Sequence, residues 1–206
     1  MNLPNKLTLS RLLATPVFVF LLSVNFTGNF FIALILFLLA MLTDYIDGSL
    51  ARSWGEVTVL GQLLDPLADK ILISSAFIMF VGLKEIQLPA WLVIIIVSRE
   101  FAITGLRLLA AGRGKIIPAG RWGKHKTISQ VIAVSAVLTY LCLLYDPSFD
   151  KEYYRNLVII LVGITTAFTF TSGCYYIIKN MGVLRDSADA DQGGGEDKLN
   201  EQAKTG

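Results

Sequence analysis

Cysteine, histidine and charge are all scarce in this chain. Two cysteines and one histidine occur in 206 residues, with no CxxC pair and no Cys/His cluster at metal-ligand spacing. Cys142 and Cys174 lie well apart inside apolar runs and read as packing residues, not as a redox pair or metal site. His125 has no serine or cysteine nucleophile set beside it by any motif and reads as a loop residue. No GxxxxGK[ST] segment is present, which excludes a phosphate-cradling loop of that type. The basic residues are not interleaved with stacking aromatics on a soluble domain, which speaks against nucleic-acid binding. Repeats of solenoid period are absent as well.

What remains is apolar. Hydrophobic residues make up 54% of the chain against 17% charged, and the mean hydropathy is +0.60. Such a composition, in long runs, describes a polytopic membrane protein of one domain. Apolar blocks fall at Leu12–Phe26, Phe30–Thr43, Ile71–Leu83, Leu88–Ala111, Ile128–Tyr145 and Leu157–Ile178. Several are shorter than the roughly 20 residues that cross hydrocarbon, but they span if each helix continues into its polar neighbours. The expected fold is all-α and integral to the membrane, a bundle of six transmembrane helices with a polar active-site cavity facing the cytoplasm.

Charge distribution sets the expected orientation. Threading six helices puts Lys6, Arg11, Arg52, Lys70, Arg107, Arg113, Lys115, Arg121, Lys124, Lys126, Lys179 and Arg185 on one side, and only Lys84, Lys151 and Arg155 on the other. By the positive-inside rule both termini and both polar loops face the cytoplasm. The first helix lacks a small-residue cleavage site and reads as retained, preceded by a short interfacial segment. Residues 1–185 form the membrane domain. Residues 186–206 are polar, Gly-rich and acidic, cannot bury a core, and read as a flexible tail.

The most informative segment is 44–69, DYIDGSLARSWGEVTVLGQLLDPLAD. Four aspartates stand in it, inside membrane-like sequence, and no adjacent run of Lys or Arg neutralises them. A carboxylate at bilayer depth is costly, so it pairs with a cation or lines a wet working cavity. Asp44 and Asp47 are three residues apart and Asp65 and Asp69 four apart, so each pair stacks on one face of its helix. The short connector around Gly55 makes antiparallel neighbours of the two helices, and all four carboxylates then converge on one pocket. Hard oxygen ligands without His or Cys fit Mg²⁺ or Mn²⁺, and two such ions balance four carboxylates while leaving room for a diphosphate. Gly48 and Gly61 share the acidic faces, where a missing side chain lets a ligand approach the backbone. Ala51 keeps that stripe narrow, and the Arg52 guanidinium is suited to a bidentate grip on phosphate. A solvated helix-end cluster, or the cation path of a transporter, would use a lone acidic pair equally well. A transporter, however, needs polar residues continuing across the membrane, and Phe30–Thr43 and Ile71–Leu83 supply almost none.

The complete spacing, Asp44-x2-Asp47-Gly48-x2-Ala51-Arg52-x8-Gly61-x3-Asp65-x3-Asp69, resembles without a gap the signature of the CDP-alcohol phosphotransferase family. That resemblance implies an integral membrane enzyme with six transmembrane helices, commonly a homodimer, moving a phosphatidyl or related group from a CDP-linked donor to an alcohol with release of CMP. It implies that Asp44, Asp47, Asp65 and Asp69 hold divalent ions, that Asp69 is also the general base, and that Gly48, Ala51, Arg52 and Gly61 form the CDP-binding surface.

The acceptor must be read elsewhere. Residues 98–130 are the most basic stretch, with Arg99, Arg107, Arg113, Lys115, Arg121, Lys124, His125 and Lys126. Arg99 lies about 16 Å along a helix begun at Leu88, a depth that demands a polar pocket. Arg107, eight residues on, shares broadly the same face, whereas Glu100 is expected to point elsewhere and satisfy another group. A cationic pocket opposite an acidic metal site suits an acceptor that itself carries phosphate. Arg99-Glu100-Phe101, Leu106-Arg107, Gly123-Lys124-x-Lys126-Thr127-x2-Gln130 and the opening Pro4-Asn5-x-Leu7-Thr8-x2-Arg11 also resemble the branch of the family that makes phosphatidylglycerophosphate. The resemblance implies CDP-diacylglycerol as donor and sn-glycerol 3-phosphate as acceptor, with Arg107, Arg113, Lys124 and Lys126 on the acceptor phosphate. Inositol phosphate needs the same cationic grip and is the nearest rival; serine and phosphatidylglycerol are further alternatives. Anionic membrane lipids compete for the basic residues, Lys115 and Arg121 above all.

Overall fold

The computed structural model describes the backbone of residues 3–24, 26–50, 59–112 and 121–180, and the side chains of 9–24, 26–43, 70–112 and 125–180. The tail 186–206 lies outside the described residues. Six helices follow in order: α1 (Leu3–Ser23), α2 (Asn29–Leu50), α3 (Val59–Gly82), α4 (Ala90–Gly112), α5 (Arg121–Leu143) and α6 (Lys151–Lys179). No strand occurs among the described residues. The shortest helix has 21 residues, or about 32 Å of rise, enough to cross a hydrocarbon core of about 30 Å. By length and composition, the stretches His125–Leu143 and Lys151–Lys179 qualify as membrane spans. Within the residues whose side chains are described, the apolar helical stretches Leu9–Ser23, Asn29–Thr43 and Lys70–Gly82 are shorter.

Two helices begin earlier than hydropathy suggests. α1 is continuous from Leu3, so the polar residues from Pro4 to Arg11 belong to its own first turns. Pro4 stands in its first turn, where the missing N–H has no intrahelical partner to lose. α5 starts at Arg121, so the basic residues up to Lys126 belong to its first turns, and His125 is an exposed helix residue instead of a loop residue. Pro16 lies inside α1 and removes one ladder bond there.

Among the described residues α1 packs heavily on both α2 and α3. α2 packs otherwise chiefly on α5, and α3 on α4 and α5, while α6 lies against α4 and α5. The physical reason is the wedge of fully buried aromatic and aliphatic side chains on α1. Phe18 meets Phe37 of α2 at 6.0 Å between ring centres, and Leu22 and Phe77 belong to the same core. Asn29 closes the α1–α2 corner: its amide donates to the carbonyls of Leu21 and Val24 at 3.2 and 2.8 Å. The Leu21 carbonyl belongs to the last turn of α1 and Val24 follows directly after it, where no intrahelical donors are left.

The bundle is apolar outside and encloses a set of polar groups beside its apolar core. Ile94, Leu109, Ile160, Ile164 and Ile178 are exposed, whereas Arg11, Glu100, Lys126, Gln130 and Thr169 are buried. Water would not favour that inversion; hydrocarbon does, because each polar group then needs an internal partner. The hydroxyls of Thr15, Thr104 and Thr166 accordingly donate to backbone carbonyls one turn back. This is the architecture of a membrane protein.

Candidate active site: a buried charged cluster on three helices

A cluster of buried charges joins α4 to α5 and α6. Arg99 lies about 14 Å along α4 from Ala90, well inside the helix. Its guanidinium reaches across to α6, where one terminal nitrogen donates to the Ser172 hydroxyl at 3.3 Å. Two turns further along α4, the Nε–H of Arg107 donates to the Tyr176 hydroxyl at 2.9 Å, so both arginines do face the same neighbour. Glu100 turns towards α5, forming an ion pair with Lys126 and accepting from the side-chain amide of Gln130 at 3.3 Å. It was expected to point away from Arg99, yet the flexible guanidinium folds back to it as well, at 3.4 Å.

Burial gives these contacts their weight. Glu100 is 4% exposed, Lys126 5% and Gln130 2%, so neither the carboxylate nor the ammonium has water to fall back on. An isolated charge there would cost several kcal/mol, and the pair persists because each neutralises and hydrogen-bonds the other. Lys70 of α3, the residue after Asp69, lies near enough to Lys126 to act on it electrostatically.

The helices also carry the acidic motif. Asp44, Asp47 and Gly48 stand on α2, and Gly61, Asp65 and Asp69 on α3, with helical backbone that puts each acidic pair on one face. Their side chains lie outside the described residues, as do Ala51, Arg52 and Arg113 entirely. Lys124 sits in the first turn of α5, its side chain likewise outside. Among the described residues no group of three Asp, Glu, His or Cys could hold a metal. As a donor set, four carboxylates without His or Cys fit hard divalent cations.

One polar stripe was missed in the sequence. α6 presents Thr165, Thr166, Thr169, Ser172 and Gly173 to the interior, and Tyr176 to Arg107. The signal was available as small or hydroxylated residues at three- and four-residue spacing on an otherwise apolar helix. Gly173 matters for the arginine: a Cβ there would lie 2.7 Å from Cγ and 3.1 Å from Nε of Arg99.

Fold and site together define a helical membrane enzyme whose working polar groups are enclosed by the bundle. The CDP-alcohol phosphatidyltransferase family model matches residues 1–171, and the chain belongs to that family. It is 41% identical over 198 residues to the CDP-diacylglycerol–glycerol-3-phosphate 3-phosphatidyltransferase of Bacillus subtilis strain 168, covering 90% of this chain and 98% of that one. A protein of the same name from Haemophilus influenzae is 32% identical over 191 residues, covering 90% and 97%. A probable phosphatidylglycerophosphate synthase of Mycobacterium tuberculosis H37Rv is 43% identical over 139 residues, covering 65% of this chain and 64% of its own. Family membership sets aside the cation-transporter alternative. The family generally uses divalent metal ions.

Proposed function

We propose that this protein transfers the phosphatidyl group of CDP-diacylglycerol to sn-glycerol 3-phosphate, giving phosphatidylglycerophosphate and CMP. The observation that carries the acceptor assignment is the enclosed arginine–lysine cluster of Arg99, Arg107 and Lys126. A phosphorylated acceptor supplies the negative charge such a cluster matches, and near-complete coverage by relatives named for that reaction supports it. Serine, without a phosphate, makes no use of it.

In this reading the helices form six spans of the cytoplasmic membrane, with both termini and the polar cavity on the cytoplasmic side, and two chains form a homodimer. Asp44, Asp47, Asp65 and Asp69 hold two Mg²⁺ or Mn²⁺ ions. When bound, the ions neutralise charge on the diphosphate and on departing CMP. Gly48, Ala51, Arg52 and Gly61 form the surface for the CDP moiety, the glycines admitting it close to the backbone. Arg107, Arg113, Lys124 and Lys126 draw in the acceptor phosphate and orient its primary hydroxyl. Asp69 takes the hydroxyl proton as the oxygen bonds to the phosphatidyl phosphorus. The diphosphate P–O bond breaks, and CMP leaves with its electron pair.

The test is CMP release by purified protein from CDP-diacylglycerol and Mg²⁺, with glycerol 3-phosphate, inositol phosphate or serine offered separately. Release with glycerol 3-phosphate alone is expected. Release with inositol phosphate instead would keep the donor chemistry and overturn the acceptor.

A further inference from the structure

We infer that Glu100 is the positioning residue of the acceptor end of the site: it holds Lys126 and Arg99 in place and touches no substrate itself. The inference rests on the reading that Lys126 and Arg107 meet the acceptor phosphate. Its own support is the convergence of three donors on a single oxygen. Oε1 of Glu100 receives the Lys126 ammonium, an Arg99 terminal nitrogen at 3.4 Å and the Gln130 amide at 3.3 Å. A carboxylate oxygen has two lone-pair directions, so this one is saturated and is not available as a base for an incoming hydroxyl.

Lysine is otherwise a poor positioning group, a point charge on a stem with four rotatable bonds. Anchored at Glu100 and enclosed at the α4–α5 contact, the Lys126 ammonium has one location before any acceptor arrives. Gln130 lies one helical turn beyond Lys126 and fixes the same carboxylate from α5. Arg99 is confined from the other side. Its Cγ would stand 2.7 Å from any Cβ at position 173, and Cγ lies too near the backbone to swing clear. Glu100, Gly173 and Ser172 thus leave Arg99 one course across α6. Preorganised cations need no reorganisation when the phosphate binds, and that advantage appears in acceptor affinity before it appears in chemistry.

The experiment is steady-state CMP release by full-length wild type and by Glu100→Gln, Glu100→Asp, Lys126→Met and the Glu100→Gln/Lys126→Met double variant. Glu100→Gln should raise the KM for glycerol 3-phosphate about tenfold or more, while the KM for CDP-diacylglycerol stays within about twofold. Glu100→Asp should recover most of that loss. The double variant should be no worse than Lys126→Met alone, because Glu100 acts through that lysine. If Glu100→Gln does not fold, Gln130→Leu carries the test, since it removes a donor that fixes the Glu100 carboxylate without changing a charge and should raise the same KM selectively. An unchanged acceptor KM, equal changes in both KM values, or multiplying effects in the double variant would overturn the inference and leave the acceptor assignment standing. Folded wild type that releases no CMP with glycerol 3-phosphate would overturn both.

Discussion

The Tyr176 hydroxyl accepts a hydrogen bond from Nε of Arg107 at 2.9 Å, and the guanidinium carbon of that arginine lies 5.1 Å from the centre of the same ring. One aromatic side chain on α6 thus holds the arginine in two ways. The hydroxyl fixes a direction, and the ring supplies a cation–π contact without offering a competing negative charge. Arg107 is left paired with a neutral partner, unlike Lys126, which faces a carboxylate.

That difference predicts a graded response at Tyr176. Tyr176→Phe keeps the ring and loses the acceptor, at about 1 kcal/mol, so the KM for glycerol 3-phosphate should rise about fivefold. Tyr176→Leu loses both contacts and should raise it by about tenfold or more. Initial rates of CMP release at varied acceptor concentration measure this. An unchanged KM in the leucine variant would show that Arg107 is placed by something other than Tyr176.

Asp69→Asn should lower kcat by a factor on the order of a thousand, since a positioned general base contributes roughly 10²–10⁴. Binding of CDP-diacylglycerol should persist, because the amide keeps the shape and one oxygen of the carboxylate. Both are checked by comparing turnover with equilibrium binding of the donor. Turnover near the wild-type rate would remove Asp69 from the base role.

Chelation offers an independent check of the acidic motif. EDTA in excess should abolish CMP release, and added Mg²⁺ or Mn²⁺ should restore it, with the restoration failing in Asp44→Asn or Asp65→Asn. Activity that survives exhaustive chelation would contradict the metal assignment.

Away from the site, Asn29→Ala leaves the carbonyls of Leu21 and Val24 without their donor in a buried corner. The expected loss is about 1–3 kcal/mol of stability, read as a lower thermal midpoint in detergent, with kcat per folded molecule unchanged. A midpoint equal to wild type would mean that another donor closes the corner.

The number of helices and their order were legible because apolar runs alternate with polar punctuation throughout the chain. Their true starts were less so. α1 and α5 extend through Pro4–Arg11 and Arg121–Lys126 as helix that hydropathy does not register, since polar residues at helix ends are as helical as apolar ones. Arg99 and Arg107 were readable as a pair by their spacing, and both do reach α6. The partners they find there, Ser172 and Tyr176, were not readable, because nothing local links residues so distant in the chain.

By itself the sequence determined the chemical class, because the complete DxxDG…AR…G…D…D spacing resembles the signature of the family to which the chain belongs. It also determined the membrane setting, through residue composition alone. Only the tertiary structure decided that α1 packs on both acid-bearing helices, that Glu100 serves Lys126 and Gln130 as well as Arg99, and that Gly173 makes room for an arginine. Spacing along one helix fixes which residues share a face. Which face of another helix they meet depends on the fit of side chains such as Phe18 against Phe37, a property of the whole packed bundle.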